Sequence, residues 1–336
     1  MTLTDDLLAQ PKEHLPVLPV LSIVVPVHNE ATGLPELYRR VRAVMDGLGE
    51  PWELLLVDDG SKDASAAAIA SLCETDTRVR GIALTRNFGF QVAVTAGLDA
   101  TRGQAVVLMD ADLQDPPEVI PDLVARWREG YQVAYGVRGE RAGETWFKKA
   151  TASGFYRLIQ RITSVSIPVD TGDFRLMDRR VVDAIRQMPE QHRFLRGMVS
   201  WVGFRQTGVV YQRQPRYTGE TKFTLAKMLR FALDAITGFS YVPLQLASLL
   251  GFTMAGLAGL AIVVVVLLRL FDVSQPLLGQ ATTLVAVLFL GGVQLICLGI
   301  VGEYLGRIYD EVKRRPLYLI QQRWGFDDAT DREKSP

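Results

Sequence analysis

An α/β domain built on a parallel-rich sheet, followed by interfacial amphipathic helices and two transmembrane helices, is the architecture the sequence predicts. Short apolar runs alternate with amphipathic segments from residue 21 to residue 137. Polar clusters rich in acidic side chains close those runs rather than interrupt them. Residues 246–268 and 280–302 carry no charged side chain at all.

The apolar runs span 21–27, 52–57, 81–84, 105–109 and 131–135 and are rich in Val, Ile and Leu. Helix-like segments between them cover 31–48, 62–72, 91–100 and 117–129. Continuous apolar strands separated by amphipathic helices indicate a parallel sheet covered on both faces, in a Rossmann-like layer arrangement. Ligands of such sheets gather outside the carboxyl ends of the strands. The 336 residues include 37 basic and 37 acidic side chains, so no basic face for nucleic acid is expected. Cys73 and Cys297 cannot form a disulfide framework, and His14, His28 and His192 are too scattered for a zinc site. Residues 1–19 are polar and broken by Pro11, Pro16 and Pro19, which reads as a flexible leader and not as a secretory signal.

Strand one ends in Pro26, Val27, His28, Asn29 and Glu30, and strand two runs into Asp58, Asp59, Gly60 and Ser61. Strand four ends in Asp110, Ala111, Asp112, Leu113, Gln114, Asp115 and Pro116. Each cluster follows an apolar strand, so all are expected on one rim. Neither a G-x-G-x-x-G fingerprint nor a P-loop follows strand one, which removes the main support for hydride transfer or P-loop chemistry. Asp110 and Asp112 stand two apart in an extended segment, so both carboxylates lie on one side. They repel unless a cation joins them, and Mg²⁺ or Mn²⁺ accepts one or two carboxylates together with substrate phosphates. Gln114 offers a neutral oxygen at the next alternate position. Asp59 and Ser61 fit an Asx-type turn capping the next helix at least as well as they fit ligand contact. Asn29 and Asn87, the only asparagines in the chain, fit turn geometry almost as well.

Residues 25–30 (Val-Pro-Val-His-Asn-Glu), 57–61 (Val-Asp-Asp-Gly-Ser), 86–89 (Arg-Asn-Phe-Gly) and 110–116 (Asp-Ala-Asp-Leu-Gln-Asp-Pro) resemble the motifs of inverting GT-A glycosyltransferases of family 2. Residues 170–175 and 302–309 extend the likeness to the polyprenyl-phosphate glycosyltransferases, the group of dolichol-phosphate mannose synthase and bactoprenol glucosyltransferase. The resemblance implies a metal-dependent enzyme that moves one sugar from a nucleotide-sugar donor to a polyprenyl phosphate such as undecaprenyl phosphate. It implies that Pro26, Asn29, Glu30 and Asp110 line the nucleotide pocket and that Asp58 accepts hydrogen bonds from the base. Asp110, Asp112 and Gln114 would hold Mg²⁺ or Mn²⁺ at the donor diphosphate. Asp173 falls where the family has an acidic residue near the sugar, as base or orienter, and joins Asp112 in the catalytic set. His28 replaces the commoner Tyr, and Asp173 departs from the Glu-Asp pattern of some relatives. The segments after Asp170 look most like the glucosyltransferase branch, so UDP-glucose is the expected donor, with mannose, galactose or an amino sugar as alternatives. Homo-oligomeric assembly, a tetramer included, rests on the same resemblance.

A helix needs about 20 apolar residues to cross a bilayer, so 246–268 and 280–302 are expected transmembrane helices. Lys222, Lys227 and Arg230 precede the first, and Arg307, Lys313, Arg314 and Arg315 follow the second. The positive-inside rule then puts the catalytic domain and both termini in the cytoplasm, at the inner (plasma) membrane. Residues 144–163 and 222–238 set apolar side chains at helical spacing beside basic ones, as helices in the headgroup plane do. Arg138, Lys148, Arg216 and Lys222 are the expected partners of the lipid phosphate, with Arg213 nearby. The expected division is a leader (1–19), a catalytic domain (20–221), a juxtamembrane helix (222–240), a two-helix membrane domain (241–305) and a cytoplasmic tail (306–336). Gly302 and Gly306 offer a close approach between helices.

A lipid phosphomonoester has a second pKa of about 6, so it is already nucleophilic at neutral pH and needs little general-base help. Two like unit charges about 4 Å apart repel by about 4 kcal/mol at an effective dielectric of about 20, a repulsion that the metal and the four cations would offset. A processive polysaccharide synthase is the competing enzyme. Gln321, Gln322, Arg323 and Trp324 imitate its Q-x-x-R-W motif, but Ile320 occupies the glutamine position. A non-catalytic membrane scaffold is the third possibility, and the intact Asp110, Asp112 and Gln114 count against it.

Overall fold

The computed structural model describes residues 18–139, 171–214, 240, 242–270 and 280–326. The amphipathic segments expected at 144–163 and 222–238 lie outside the described residues, as do Lys148, Arg216 and Lys222.

Strands β1 (Leu21–Val27), β2 (Trp52–Asp58), β3 (Val79–Leu84) and β4 (Ala105–Leu108) occupy the apolar runs. Helices α1 (Leu34–Leu48), α2 (Ser65–Thr75) and α4 (Ile120–Arg128) cover one face of the sheet. The other face is covered by α3 (Phe90–Ala100), α5 (Arg179–Arg186) and α6 (Leu195–Trp201). Helix α1 shows why: Leu34, Leu37, Val41 and Met45 recur at helical spacing and are all buried, and Gly49, at φ 70°, ends the helix in the left-handed region.

Four further strands are β5 (Val133–Arg138), β6 (Thr171–Asp178), β7 (Gln206–Tyr211) and β8 (Ile320–Trp324). The eight form one sheet in the order β7-β5-β6-β4-β1-β2-β3-β8. The sheet is parallel-rich, as expected, and mixed by two antiparallel strands. β6 runs antiparallel between β4 and β5, because β5 ends at the rim and β6 starts from that same end. β8 runs antiparallel along β3.

The long helices are α7 (Val242–Leu270) and α8 (Gln280–Lys313), with 29 and 34 residues. At about 1.5 Å per residue they are roughly 43 and 51 Å long, and both contain a stretch long and apolar enough to cross a membrane. The Tyr304 hydroxyl donates to the Ser240 carbonyl at 2.7 Å, across the start of the pair. No described residue approaches Gly302 or Gly306, with nothing within 4 Å of where a β-carbon would sit.

Within the expected tail, 306–336, the described residues run on to Phe326. α8 continues through Lys313, and Ile320–Trp324 rejoin the sheet. The Thr85 N–H donates to the Leu319 carbonyl at 3.0 Å, and the Tyr318 hydroxyl to Asp99 Oδ2 at 2.9 Å. The end of α8 also meets the catalytic domain. The Gln191 N–H donates to Glu311 Oε1 at 2.8 Å, and His192 Nε2 lies 3.2 Å from Asp310 Oδ2.

At the end of the sheet opposite the rim, Glu53 is buried and fully engaged. It accepts from Ser22 Oγ (2.6 Å), the Arg102 N–H (2.8 Å), Arg102 Nε (3.1 Å) and Arg80 Nη1 (3.1 Å). The Arg80 guanidinium in turn lies 3.8 Å from the Phe326 ring, which ties the returning segment to the same anchor. Burial acts to raise the Glu53 pKa, but Ser22, the Arg102 N–H and the Arg80 charge outweigh it and hold the carboxyl below its usual range. Its stabilising share is therefore complete above the ordinary glutamate value and is lost as pH falls through the lower folded one. Replacing Glu53 by Gln removes the buried carboxylate that Arg80 and Arg102 share, and breaking such a buried pair is expected to cost about 3–5 kcal/mol at neutral pH. Thermal unfolding of detergent-solubilised protein should show the gap to wild type closing below about pH 4.

Candidate active site

The carboxyl ends of β1 to β5 and β7, together with the amino ends of β6 and β8, lie along one edge of the sheet. Every site residue expected from the sequence that falls among the described residues belongs to this rim. β1 lies between β2 and β4, so the strand order reverses there. The β1–β4 ladder stops at Val24 and Leu108, with the Met109 N–H donating to the Val24 carbonyl at 3.1 Å. Pro26, two residues on and facing the same way, has no N–H to extend it. The crevice of an open α/β sheet forms at such a reversal.

On the β2 side of that crevice, the connecting loops are laced together. The Asn29 N–H donates to Ser61 Oγ (2.9 Å), the Lys62 N–H to Asn29 Oδ1 (2.7 Å) and the Glu30 N–H to Ser65 Oγ (3.0 Å). Asn29 sits at φ 54°, a left-handed conformation that Asn tolerates better than most residues. Its visible work is thus to hold the turn. His28 Nδ1 lies 3.0 Å from the Asp59 carbonyl and so donates to it, which leaves Nε2 to accept from Asn29 Nδ2 at 3.3 Å.

The two adjacent aspartates at the end of β2 divide their tasks. Asp58 Oδ1 accepts the Ser61 N–H at 3.2 Å, making the Asx-type turn expected of its neighbour. Asp59 instead reaches across to the loop after β3, accepting the Phe88 N–H at 2.7 Å and the Gly89 N–H at 3.0 Å. Burial raises the Asp59 pKa even against those two bonds. Gly60 closes the arrangement at φ 61°, where a β-carbon would lie 2.3 Å from the Arg86 carbonyl carbon. A cavity of about 610 Å³ opens here, lined by Asp58, Ser61, Lys62, Arg86, Gln322 and Trp324 among others.

On the β4 side, acidic groups converge. Asp110 Oδ1 is buried with no hydrogen-bond partner. Burial, with the nearby charges of Asp115, Asp173 and Asp112, pushes its pKa up to about 8, against the pull of Arg196. Asp112 is buried and accepts the Gln114 N–H at 3.1 Å, while the Gln114 carbonyl accepts the Gln214 N–H at 2.9 Å. Between them, buried Leu113 is held at φ 58°, a conformation costing an aliphatic L-residue about 1–2 kcal/mol. Strain of this kind persists only where the surroundings enforce it, and it clusters at functional sites.

Asp173, on β6, is clamped by both arms of Arg196, Nε to Oδ1 at 2.9 Å and Nη2 to Oδ2 at 2.8 Å. Burial acts to raise its pKa, but Arg196, Arg175 and Arg138 overcome it and hold the carboxyl below the usual range. Arg138, at the end of β5, has its Nε buried without a partner. Asp115 accepts from the Tyr211 hydroxyl and lies 3.7 Å from Arg213 Nε. Asp115, Arg175, Arg196 and Tyr211 were not singled out by the sequence. Asp115 and Arg175 carried a signal only as members of the 110–116 and 170–175 motifs, and Arg196 and Tyr211 carried none.

These groups fit a divalent cation of a particular kind. Among the described residues, no three His, Cys, Asp or Glu side chains form a cage of their own. The orphaned Asp110 Oδ1 beside Asp112 instead matches an ion bound by one or two carboxylates and completed by substrate phosphates.

The sequence model described as Glycosyl transferase family 2 matches residues 22–186. The chain is 50% identical over 307 residues to the uncharacterized glycosyltransferase YkcC of Bacillus subtilis, covering 91% of this chain and 95% of that one. It is 47% identical to an uncharacterized glycosyltransferase of Synechocystis sp., over 91% of this chain and 96% of the other. A bactoprenol glucosyl transferase of Shigella phage SfII is 41% identical over 90% of this chain and 97% of its own.

Asp59 carries the local test. Replacing it by Ala leaves the Phe88 and Gly89 N–H groups without their acceptor. Hydrogen exchange of residues 86–90 should quicken by about tenfold or more, while the amides of β1 and β4 keep their protection.

Proposed function

We propose that this chain, which belongs to glycosyl transferase family 2, moves one sugar from a nucleotide donor to a polyprenyl phosphate at a membrane face, with glucose from UDP-glucose to undecaprenyl phosphate as the best match. The carrying observation is the acidic pair Asp110 and Asp112, with its unpartnered oxygen, on the same rim as Arg138 and Arg213 in a chain with two long apolar helices. The named activity of the phage relative supports the acceptor and the sugar.

Asp110, Asp112 and Gln114 would hold Mg²⁺ or Mn²⁺, which when bound supplies Lewis-acid stabilisation of charge on the leaving nucleotide. Asp58, Pro26 and Asn29 would line the nucleotide side, where Asp58 can only accept hydrogen bonds when ionised. Glu30 belongs to the same loop, its N–H spent on Ser65. Arg138 and Arg213 would draw the acceptor phosphate, with Lys148, Arg216 and Lys222 as further cations outside the described residues. Removal of a proton is not required of the enzyme, because a phosphomonoester is largely dianionic at neutral pH. The clamped, acid-shifted Asp173 suits that economy. A general base works best with a pKa near the operating pH, and Asp173 is pulled the other way. We assign it to orienting the sugar. Attack by the phosphate opposite the departing nucleotide then inverts the anomeric carbon.

Membranes carrying Asp112→Ala should lose at least about a hundredfold of lipid-linked sugar, in line with the removal of one preorganised electrostatic group. Chelation should silence the wild type, and added Mn²⁺ or Mg²⁺ should restore it but not the variant. Mass analysis of the lipid product reads both results. Several sugars per lipid would point to a processive synthase instead, and full activity in Asp112→Ala would remove the acidic pair from the mechanism.

A further inference from the structure

We infer that the side-chain amides of Gln321 and Gln322, on the strand that follows the second long helix, select the base of the donor nucleotide. This builds on the reading of the chain as a nucleotide-sugar-dependent transferase and concerns a wall of the site that none of the rim motifs supplies.

The cavity of about 610 Å³ beside Asp58 is of ordinary size for a small-molecule site. Its existence depends on small residues. Gly81 and Ala83 alternate along β3 on the side covered by α2, and Ala66 faces them from α2. Directly opposed residues of an antiparallel pair share a face. The pairings Gly81 with Trp324 and Ala83 with Gln322 therefore put the indole and one amide on that same side. A β-carbon at position 81 would come 2.8 Å from Trp324 Cε3, so the ring occupies the space left by the glycine. The ladder shifts register between Ala83 and Leu84, which skips Gln321 and brings it to the cavity as well.

The chemistry of the lining is that of a base pocket. Asp58 is a buried carboxylate with one oxygen spent on the Ser61 N–H, so it calls for a donor from the ligand. Gln321 and Gln322 are exposed, and no hydrogen bond ties either amide to another described residue. Asn29, by contrast, is already engaged with Lys62. Each free amide brings an NH₂ donor beside a carbonyl acceptor. A ring N–H flanked by two carbonyls, the imide edge of uracil, satisfies this set: its N–H goes to Asp58 and its carbonyls to the amides. Adenine and cytosine lack a ring N–H on that edge.

The full chain in detergent, titrated with UDP, GDP and ADP, tests this directly. Gln322→Ala and Gln321→Ala are each expected to weaken UDP binding about tenfold and to raise KM for UDP-glucose equally, as loss of a hydrogen bond does. The kcat at saturating donor and the KM for undecaprenyl phosphate should hold. Arg323→Ala, whose side chain points to the other face of β8, should bind UDP like the wild type, which separates contact from damage to the strand. Unchanged UDP affinity in both glutamine variants overturns the inference, as does tighter binding of GDP than of UDP by the wild type. Protein that binds UDP in a Gln322-dependent way but transfers nothing to undecaprenyl phosphate supports the base pocket and overturns only the proposed acceptor.

Discussion

Negative charge gathered at the mouth of the sheet is the constraint to which the rest of the structure answers. Asp110 feels Asp115, Asp173 and Asp112 together, and each such neighbour about 4 Å away would cost about 4 kcal/mol at an effective dielectric of about 20. Arginines absorb most of it. Arg196 grips Asp173, Arg213 and the Tyr211 hydroxyl attend Asp115, and Arg175 is buried deeply enough that its own pKa falls to about 10. Asp110 Oδ1 and Asp115 Oδ2 still keep no partner. Sheet order makes this crowding unavoidable. Leu108 lies opposite Arg175 where β6 runs against β4, so Asp110 and Asp173 face each other two residues further on.

The same order separates two kinds of chemistry. Pro26 ends the β1–β4 ladder and so marks the divide. Toward β8, the rim holds turns, amides and one inward carboxylate, groups that read hydrogen-bond patterns. Toward β7, it holds the acids and the arginines, groups that manage charge. A reaction that must recognise a nucleotide and also bring two phosphates close together needs both, side by side, and a reversal of strand order provides that adjacency.

Strands β1 to β5, the helices around them and the shared rim were legible in the sequence because each depends on local periodicity. Leu34, Leu37, Val41 and Met45 announce α1 without reference to any other segment. What escaped depends on distant partners. β6, Thr-Gly-Asp-Phe-Arg-Leu-Met-Asp, and β8, Ile-Gln-Gln-Arg-Trp, are too polar to read as buried strands, and only their neighbours in space make them so. The division of labour between Asp58 and Asp59 was hidden for a simpler reason: adjacent residues of a strand point to opposite faces, and spacing alone does not say which face holds the loop that needs an acceptor. Arg196 and Tyr211 carry no motif and matter only through the carboxylates they meet.

Topology also bears on where a membrane would lie. β7 is one edge of the sheet and β8 the other. The chain leaves β7 at Tyr211, at the rim, and re-enters β8 at Ile320, also at the rim. Both long helices fall between these two points in the chain. From Lys313, where α8 ends, to Ile320 the chain has seven residue steps, which at no more than about 3.6 Å each span roughly 25 Å. The contacts of Gln191 and His192 with Glu311 and Asp310 tie that end of α8 to the catalytic domain as well. A helix tied to the rim within about 25 Å at the β8 edge is poorly placed to serve a membrane on the opposite side. An acceptor whose phosphate is held at a bilayer surface would therefore meet the rim from the direction the chain itself takes.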